Sequence, residues 1–301
     1  MFTGNRISLS ELAGPLGLDL RRDAEIACVG KVPTRLEGRL VPCGKQIYLD
    51  EAAGETGIAA YVVPEDLVAA VPEGAGVVVS DRPLVTAMAV HEHLVALPGF
   101  LWADFDTEID PSAVIMPGAY VPARNVRIGA RTVVGPNAVI LERSIIGADC
   151  EIGAGTVIGC EAFEQVPGAS PKRILKQAGG VWLEDWVTIM AKTTIIRATF
   201  GGFTRVGRET KIDTHVHLAH DCQIGERVSI IACSEVSGRV EVGDDAYLGP
   251  NCTISNGIRI GARATVTLGA VVVRDVPEDT RVTGNFALPH DKWLNIIRDY
   301  R

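Results

Sequence analysis

The chain has 301 residues, 47% hydrophobic and 22% charged, a composition that buries a sizeable core and is unlike that of a disordered chain. A formal net charge of −8 lacks the basic footprint of a general nucleic-acid binder, and it suits anionic substrates only where positive charge is gathered locally. The seven cysteines form no C-x-x-C pair, which argues against a disulfide scaffold or a structural zinc site.

The opening Met1–Ile7 has no apolar signal-peptide core, and no stretch reaches about eighteen uninterrupted apolar residues, so a cytoplasmic location without a transmembrane segment is expected. Ser8-Leu9-Ser10-Glu11 reads as a capping box opening a short helix with Leu9, Leu12 and Leu16, stopped by Gly17. Ala59–Val63 and Gly76–Val79 read as buried strands, and Pro64-Glu65-Asp66 opens a short helix between them. Asp81-Arg82-Pro83 opens another helix through Met88 and Leu94, carrying His91 and His93 as a packing and surface pair. An α/β domain is therefore expected over residues 1–100.

From Val206 to Val272 an aliphatic residue recurs every six positions, and the same period runs through Ile128, Val134, Ile140, Ile146, Ile152 and Ile158. A shorter series, Ile109, Ile115 and Val121, precedes a one-residue slip. Period six matches no helix; it reads as a mainly β fold, a parallel β-helix over residues 101–280 with three hexads per eighteen-residue coil. Residues eighteen apart should then stack about 4.8 Å apart. Glycine often follows the aliphatic residue and is expected to free the turn backbone. The fifth hexad position, with Cys150, Cys222 and Cys252, reads as a second inward slot, so these thiols are small core residues rather than nucleophiles. An excursion at 160–180 is too polar and irregular for a coil. Residues 281–301 read as a tail whose helix, Asp291 to Ile297, caps the open end of the solenoid.

Three histidines lie in Asp213-Thr214-His215-Val216-His217-Leu218-Ala219-His220-Asp221-Cys222, at outward or corner positions. An isolated surface histidine is usually incidental, but a cluster of three on one face points to a site. Stacking places Gly202 before His220, and Gly238 then Asn256 after it, which suits a general base beside a backbone oxyanion donor. Stacking also sets His217 between Thr199 and Glu235. Two alternatives stay open: a metal-dependent hydratase using His215, His217 and His220, as in the zinc carbonic anhydrases that share six-residue β-helices, and an inactive solenoid.

These residues resemble a family over nearly the whole chain. The order of an α/β domain, an interrupted hexapeptide solenoid and a C-terminal helix is similar to that of the UDP-3-O-(3-hydroxyacyl)glucosamine N-acyltransferases of lipid A synthesis. Leu9-Ser10-Glu11-Leu12-Ala13, Pro111-Ser112-Ala113-Val114-Ile115, Lys211-Ile212-Asp213 and Leu218-Ala219-His220 carry the likeness. His217–Cys222 is also similar to the sister O-acyltransferases, while the two-domain layout favours the N-acyltransferases. The resemblance implies a left-handed helix, a homotrimer with sites between subunits, His220 as base and Gly238 as oxyanion donor. It implies substrate contacts from Asp213, His217, Tyr48, Asn256 and Phe163. It implies no bound cofactor or metal, but an acyl carrier protein or coenzyme A thioester as donor and an amino-sugar nucleotide as acceptor; a small-acyl, acetyl-coenzyme A enzyme is the runner-up. Departures are Gly257 for the family's second active-site histidine, Thr214 for an asparagine, and a single short C-terminal helix.

Overall fold

A computed structural model describes the chain except for residues 33, 35, 285, 286, 288, 300 and 301. Helix α1 (Leu9–Leu16) starts on the expected reciprocal cap between Ser8 and Glu11 and ends at Gly17, whose φ of 61° is the left-handed C-cap conformation. Two further helices, α2 (Gln46–Ala53) and α3 (Pro83–Ala96), and a 3-10 turn over Glu65–Ala70 flank a five-stranded sheet. Its order is Asp19–Arg22, Gly76–Val79, Ile58–Val63, Arg39–Pro42, Cys28–Val29; only the first pair is antiparallel. Alternate residues serve opposite faces. Leu40, Val62 and Val78 pack with α1 and α3, whereas Val41, Tyr61 and Val77 pack with α2. Burial on both faces is why these strands read as continuous apolar runs.

The rest is the parallel β-helix. Its three sheets hold eight, nine and seven strands, and successive coils pair eighteen residues apart, as in Gln223 with Glu241, Ser229 with Tyr247 and His217 with Glu235. The hexad aliphatics from Ile128 to Val272 and the fifth-position residues form one core. Burial pushes the Cys150 thiol up to about 11 and Cys222 up to about 12, which accords with core roles. Ile109 and Ile115 are 40% and 36% exposed because no coil lies beneath the first one.

Three expectations are corrected. The glycines after the hexad aliphatics do not supply the turn dihedral. That falls to the residue two positions on, such as Arg227 (φ 56°) and Asp245 (φ 59°). A Cβ on Gly225 would lie 2.8 Å from the Asp244 backbone nitrogen, and on Gly243 2.5 Å from that of Ala262, so glycine is required by the neighbouring coil. The C-terminal helix, α4 (His290–Asp299), does not bury its apolar face on the solenoid, since Trp293 and Ile296 are 46% and 42% exposed; the Ile297 side chain lies outside the described residues. Finally, register is not eighteen throughout. Ser144 pairs with Val181, nineteen residues beyond the regular step, because residues 161–179 leave the solenoid. Thr194 pairs with His217, five residues beyond it, because a second insertion lies between Ile196 and Phe203.

The first excursion has a destination. Its Leu175 and Ala178 are buried in the α1–α3 core of the N-terminal sheet. Lys31 pairs with Glu164 at 2.9 Å, and Arg173 pairs with Glu92 of α3.

Candidate active site

His220 sits on a corner, two residues past the end of the strand His217–Leu218. Asp221, the next residue, adopts a φ of 61°, a conformation Asp tolerates better than most residues. This left-handed turn carries the Asp221 carboxylate back to the imidazole, with Nδ1 to Oδ2 at 2.8 Å and side-chain exposures of 16% and 8%. The carboxylate holds the proton on Nδ1 and leaves the Nε2 lone pair free to accept another. Asp221 Oδ1 accepts the Thr199 N–H at 3.1 Å, and Thr199 Oγ1 lies 3.2 Å from His220 Nδ1.

On the following coil Gly238 lies against the ring. A Cβ there would fall 2.6 Å from both Cε1 and Nε2 of His220, so no other residue fits without moving the imidazole. At four of the equivalent corners the backbone N–H groups of Ala148, Arg208, Glu226 and Ala232 donate to a carboxylate of a neighbouring coil, at 2.8, 3.0, 2.9 and 3.2 Å, whereas those of Ala130, Ala154, Asp244 and Ala262 donate to no acceptor among the described residues. The Gly238 N–H donates to no acceptor among the described residues. The arrangement thus pairs a proton acceptor with an unspent backbone donor.

Two clefts flank this corner and share Arg239. One, of about 450 Å³, lies between the N-terminal sheet domain and the solenoid and includes Lys31, Tyr48, Glu51, Arg82 and Leu84. The other, of about 270 Å³, is lined by Phe2, Leu36, Trp182 and Phe203 and reaches Asp221. Arg239 Nε is buried without a hydrogen-bond partner, and its N–H donates to the His220 carbonyl at 2.8 Å. Local positive charge in a chain of net charge −8 is gathered here by Arg82 and Arg239 against Glu51, with Lys31 beside them already paired to Glu164.

The expected site residues divide. His220 and Gly238 meet, and Tyr48 lines the larger cleft. Asn256 is exposed on the same corner one coil further, where the Gly257 N–H donates to the Gly238 carbonyl at 3.0 Å. Asp213 is not at His220: its carboxylate accepts the backbone N–H groups of Thr214 (2.7 Å) and Ala232 (3.2 Å) and ties two coils together. His217 is on the strand face, stacked between Thr194 and Glu235 rather than after Thr199, with Nε2 4.0 Å from Glu235. Nor is His220 preceded by Gly202, which the insertion carries to Leu36; its neighbour on that side is Thr199. Phe163, 82% exposed on the excursion, lines neither cleft. His215 is exposed at its own corner, and among the described residues no three His, Cys, Asp or Glu side chains are grouped to hold a metal ion. The roles open to Asp221, Thr199 and Arg239 were missed; the signal for Asp221 was its place beside the corner histidine.

A family model described as bacterial transferase hexapeptide (six repeats) matches residues 125–160. The chain is 36% identical over 158 residues to a UDP-3-O-acylglucosamine N-acyltransferase of Caulobacter sp. (strain K31), covering 52% of this chain and 46% of that one. It is 32% identical over 208 residues to the enzyme of the same name from Helicobacter hepaticus, covering 59% and 64%. The chain thus spans from about half to under two thirds of these relatives' lengths. Among solved structures, a Francisella novicida UDP-N-acetylglucosamine acyltransferase superposes with a TM-score of 0.53 at 27% identity, over 60% of this chain and 63% of that one. The fold is a left-handed parallel β-helix of hexapeptide repeats, with a small N-terminal α/β region and a C-terminal helix.

Proposed function

We propose that this chain transfers an acyl group from a phosphopantetheine thioester to the amine of an amino-sugar nucleotide, as an N-acyltransferase of the lipid A type. The observation that carries the proposal is the His220–Asp221 pair at 2.8 Å with the Gly238 backbone packed on the open side of the ring. The acceptor amine attacks the thioester carbonyl, and His220 Nε2 takes the amine proton as the C–N bond forms. The Gly238 N–H receives the oxyanion, and the C–S bond breaks to release a thiolate, which takes the amine's proton from His220 and leaves as the thiol.

In this reading residues 1–100 hold the acceptor in the larger cleft, with Tyr48 against the nucleotide and Arg82 and Arg239 available to its phosphates. Residues 101–280 carry the chemistry, and 281–301 form a tail. The protein works as a cytoplasmic homotrimer that brings half-buried His217 and exposed Asn256 and Phe163 against substrate or a neighbouring subunit. Solvent-exposed Trp186, Met190 and Tyr247 on the solenoid support such an assembly. No described helix is long and apolar enough to cross a membrane. The donor is acyl carrier protein or coenzyme A.

The test is His220→Ala and His220→Gln assayed with UDP-3-O-acylglucosamine and each acyl thioester in turn. The proposal expects kcat to fall by about 10²- to 10⁴-fold with oligomer size unchanged. Near-normal turnover in both variants removes it.

A further inference from the structure

The five-residue insertion between Ile196 and Phe203 is too short to be a domain, yet it touches three parts of the molecule. Thr199, 1% exposed, spends every polar group it has. Its N–H goes to Asp221 Oδ1 at 3.1 Å and its hydroxyl lies 3.2 Å from His220 Nδ1. Its carbonyl accepts the N–H of Ala178, from the long excursion, at 2.9 Å. Phe200, 4% exposed, turns the other way and is buried in the α1–α3 core. Its ring meets His91 of α3 edge-on at 5.0 Å, and His91 Nε2 lies 2.8 Å from the carbonyl of Lys176 in the excursion. The insertion is a strap: one side chain is sunk in the N-terminal domain and the next holds the His–Asp pair.

We infer that Thr199 is a positioning residue for the His220 base and that Phe200 anchors it to the N-terminal domain, an assignment that rests on the reading of His220 as base. An Asp carboxylate has a broad torsion about its Cβ–Cγ bond, and hydrogen bonds to both oxygens fix its plane more closely than one does. Asp221 Oδ2 faces the imidazole, and Oδ1 is held by the Thr199 N–H, which fixes the plane of the carboxylate and with it the ring. The Thr199 hydroxyl oxygen is a second acceptor beside the Nδ1 proton, and it helps hold the ring in the plane set by Asp221.

Thr199→Val keeps the shape and the N–H and removes only that oxygen. It is expected to lower kcat by about tenfold, the worth of a hydrogen bond to a charged group, with the acceptor KM unchanged. Thr199→Ser should restore kcat, whereas a packing role would not be rescued by the smaller side chain. Phe200→Leu, which keeps the anchor apolar, is expected to shift kcat in the same direction by less. Wild-type kcat in Thr199→Val, or a Thr199→Ser variant no better than Val, overturns the assignment when His220→Ala is inactive. Full activity in His220→Ala instead removes the base itself.

Discussion

The coils from Phe203 to Val276 and those from Leu141 to Gly202 are built on the same six-residue rule and differ in what interrupts it. In the later coils every step but the last, where Ile260 pairs with Val276, is eighteen residues, polar groups close onto the next coil, and corner carboxylates such as Asp244 are spent on backbone N–H groups. In the earlier coils two insertions, residues 161–179 and the five residues before Phe203, leave the solenoid and reach the N-terminal sheet. The regular coils make a rigid wall; the irregular ones fasten a second domain to it. His220 sits where the two kinds of coil meet, with Thr199 of an insertion on one side and Gly238 of a regular turn on the other. Uniform repetition supplies stiffness, and departures from it place the chemistry.

The sharpest way to separate the two regions is to weaken one at a time. Leu248→Ala, in the fully buried core of the regular coils, should cost about 2–5 kcal/mol of stability while kcat measured below the unfolding transition stays close to wild type. Thermal or denaturant unfolding reads the first and the acyl-transfer assay the second; a large loss of kcat with unchanged stability would erase the distinction between wall and site. A smaller effect separates inward from corner cysteines. Burial pushes Cys150 to about 11 and Cys222 to about 12, well above the usual thiol value, whereas Cys233 is exposed at a corner. At pH 8 the folded protein should be alkylated at Cys233, with Cys150 and Cys222 modified only after unfolding; peptide mass analysis checks this, and rapid native labelling of Cys222 would mean that the inward slot is open.

The solenoid was legible because period six leaves no helical interpretation and because its inward positions are aliphatic without a break. The step from His220 to Gly238 was legible for the same reason, since it crosses no insertion. The step back from His220 to Gly202 failed because counting by eighteen presumes regular coils, and the five added residues put Thr199 in that place. Asp221 was hidden by a different cause. Neighbouring residues on a strand point to opposite faces, and only the left-handed conformation at the corner turns its carboxylate onto the preceding imidazole. Asp213 was expected to contact substrate through the family resemblance of Lys211-Ile212-Asp213, yet its oxygens are occupied by two backbone N–H groups, a fate that pattern alone does not reveal. The amphipathic α4 displays an apolar face without telling where it docks, and here Trp293 remains exposed.

The central claim is that the Gly238 corner, in an otherwise structural wall, serves His220. Gly238→Ala tests it most directly, because the added Cβ would fall 2.6 Å from His220 Nε2 at a corner whose backbone conformation other residues adopt. The measurement is kcat of Gly238→Ala beside its unfolding midpoint. A loss of about 10²-fold or more, the scale of a displaced base or a lost oxyanion donor, with a midpoint near wild type, is expected. Wild-type turnover in a folded Gly238→Ala protein would contradict the account.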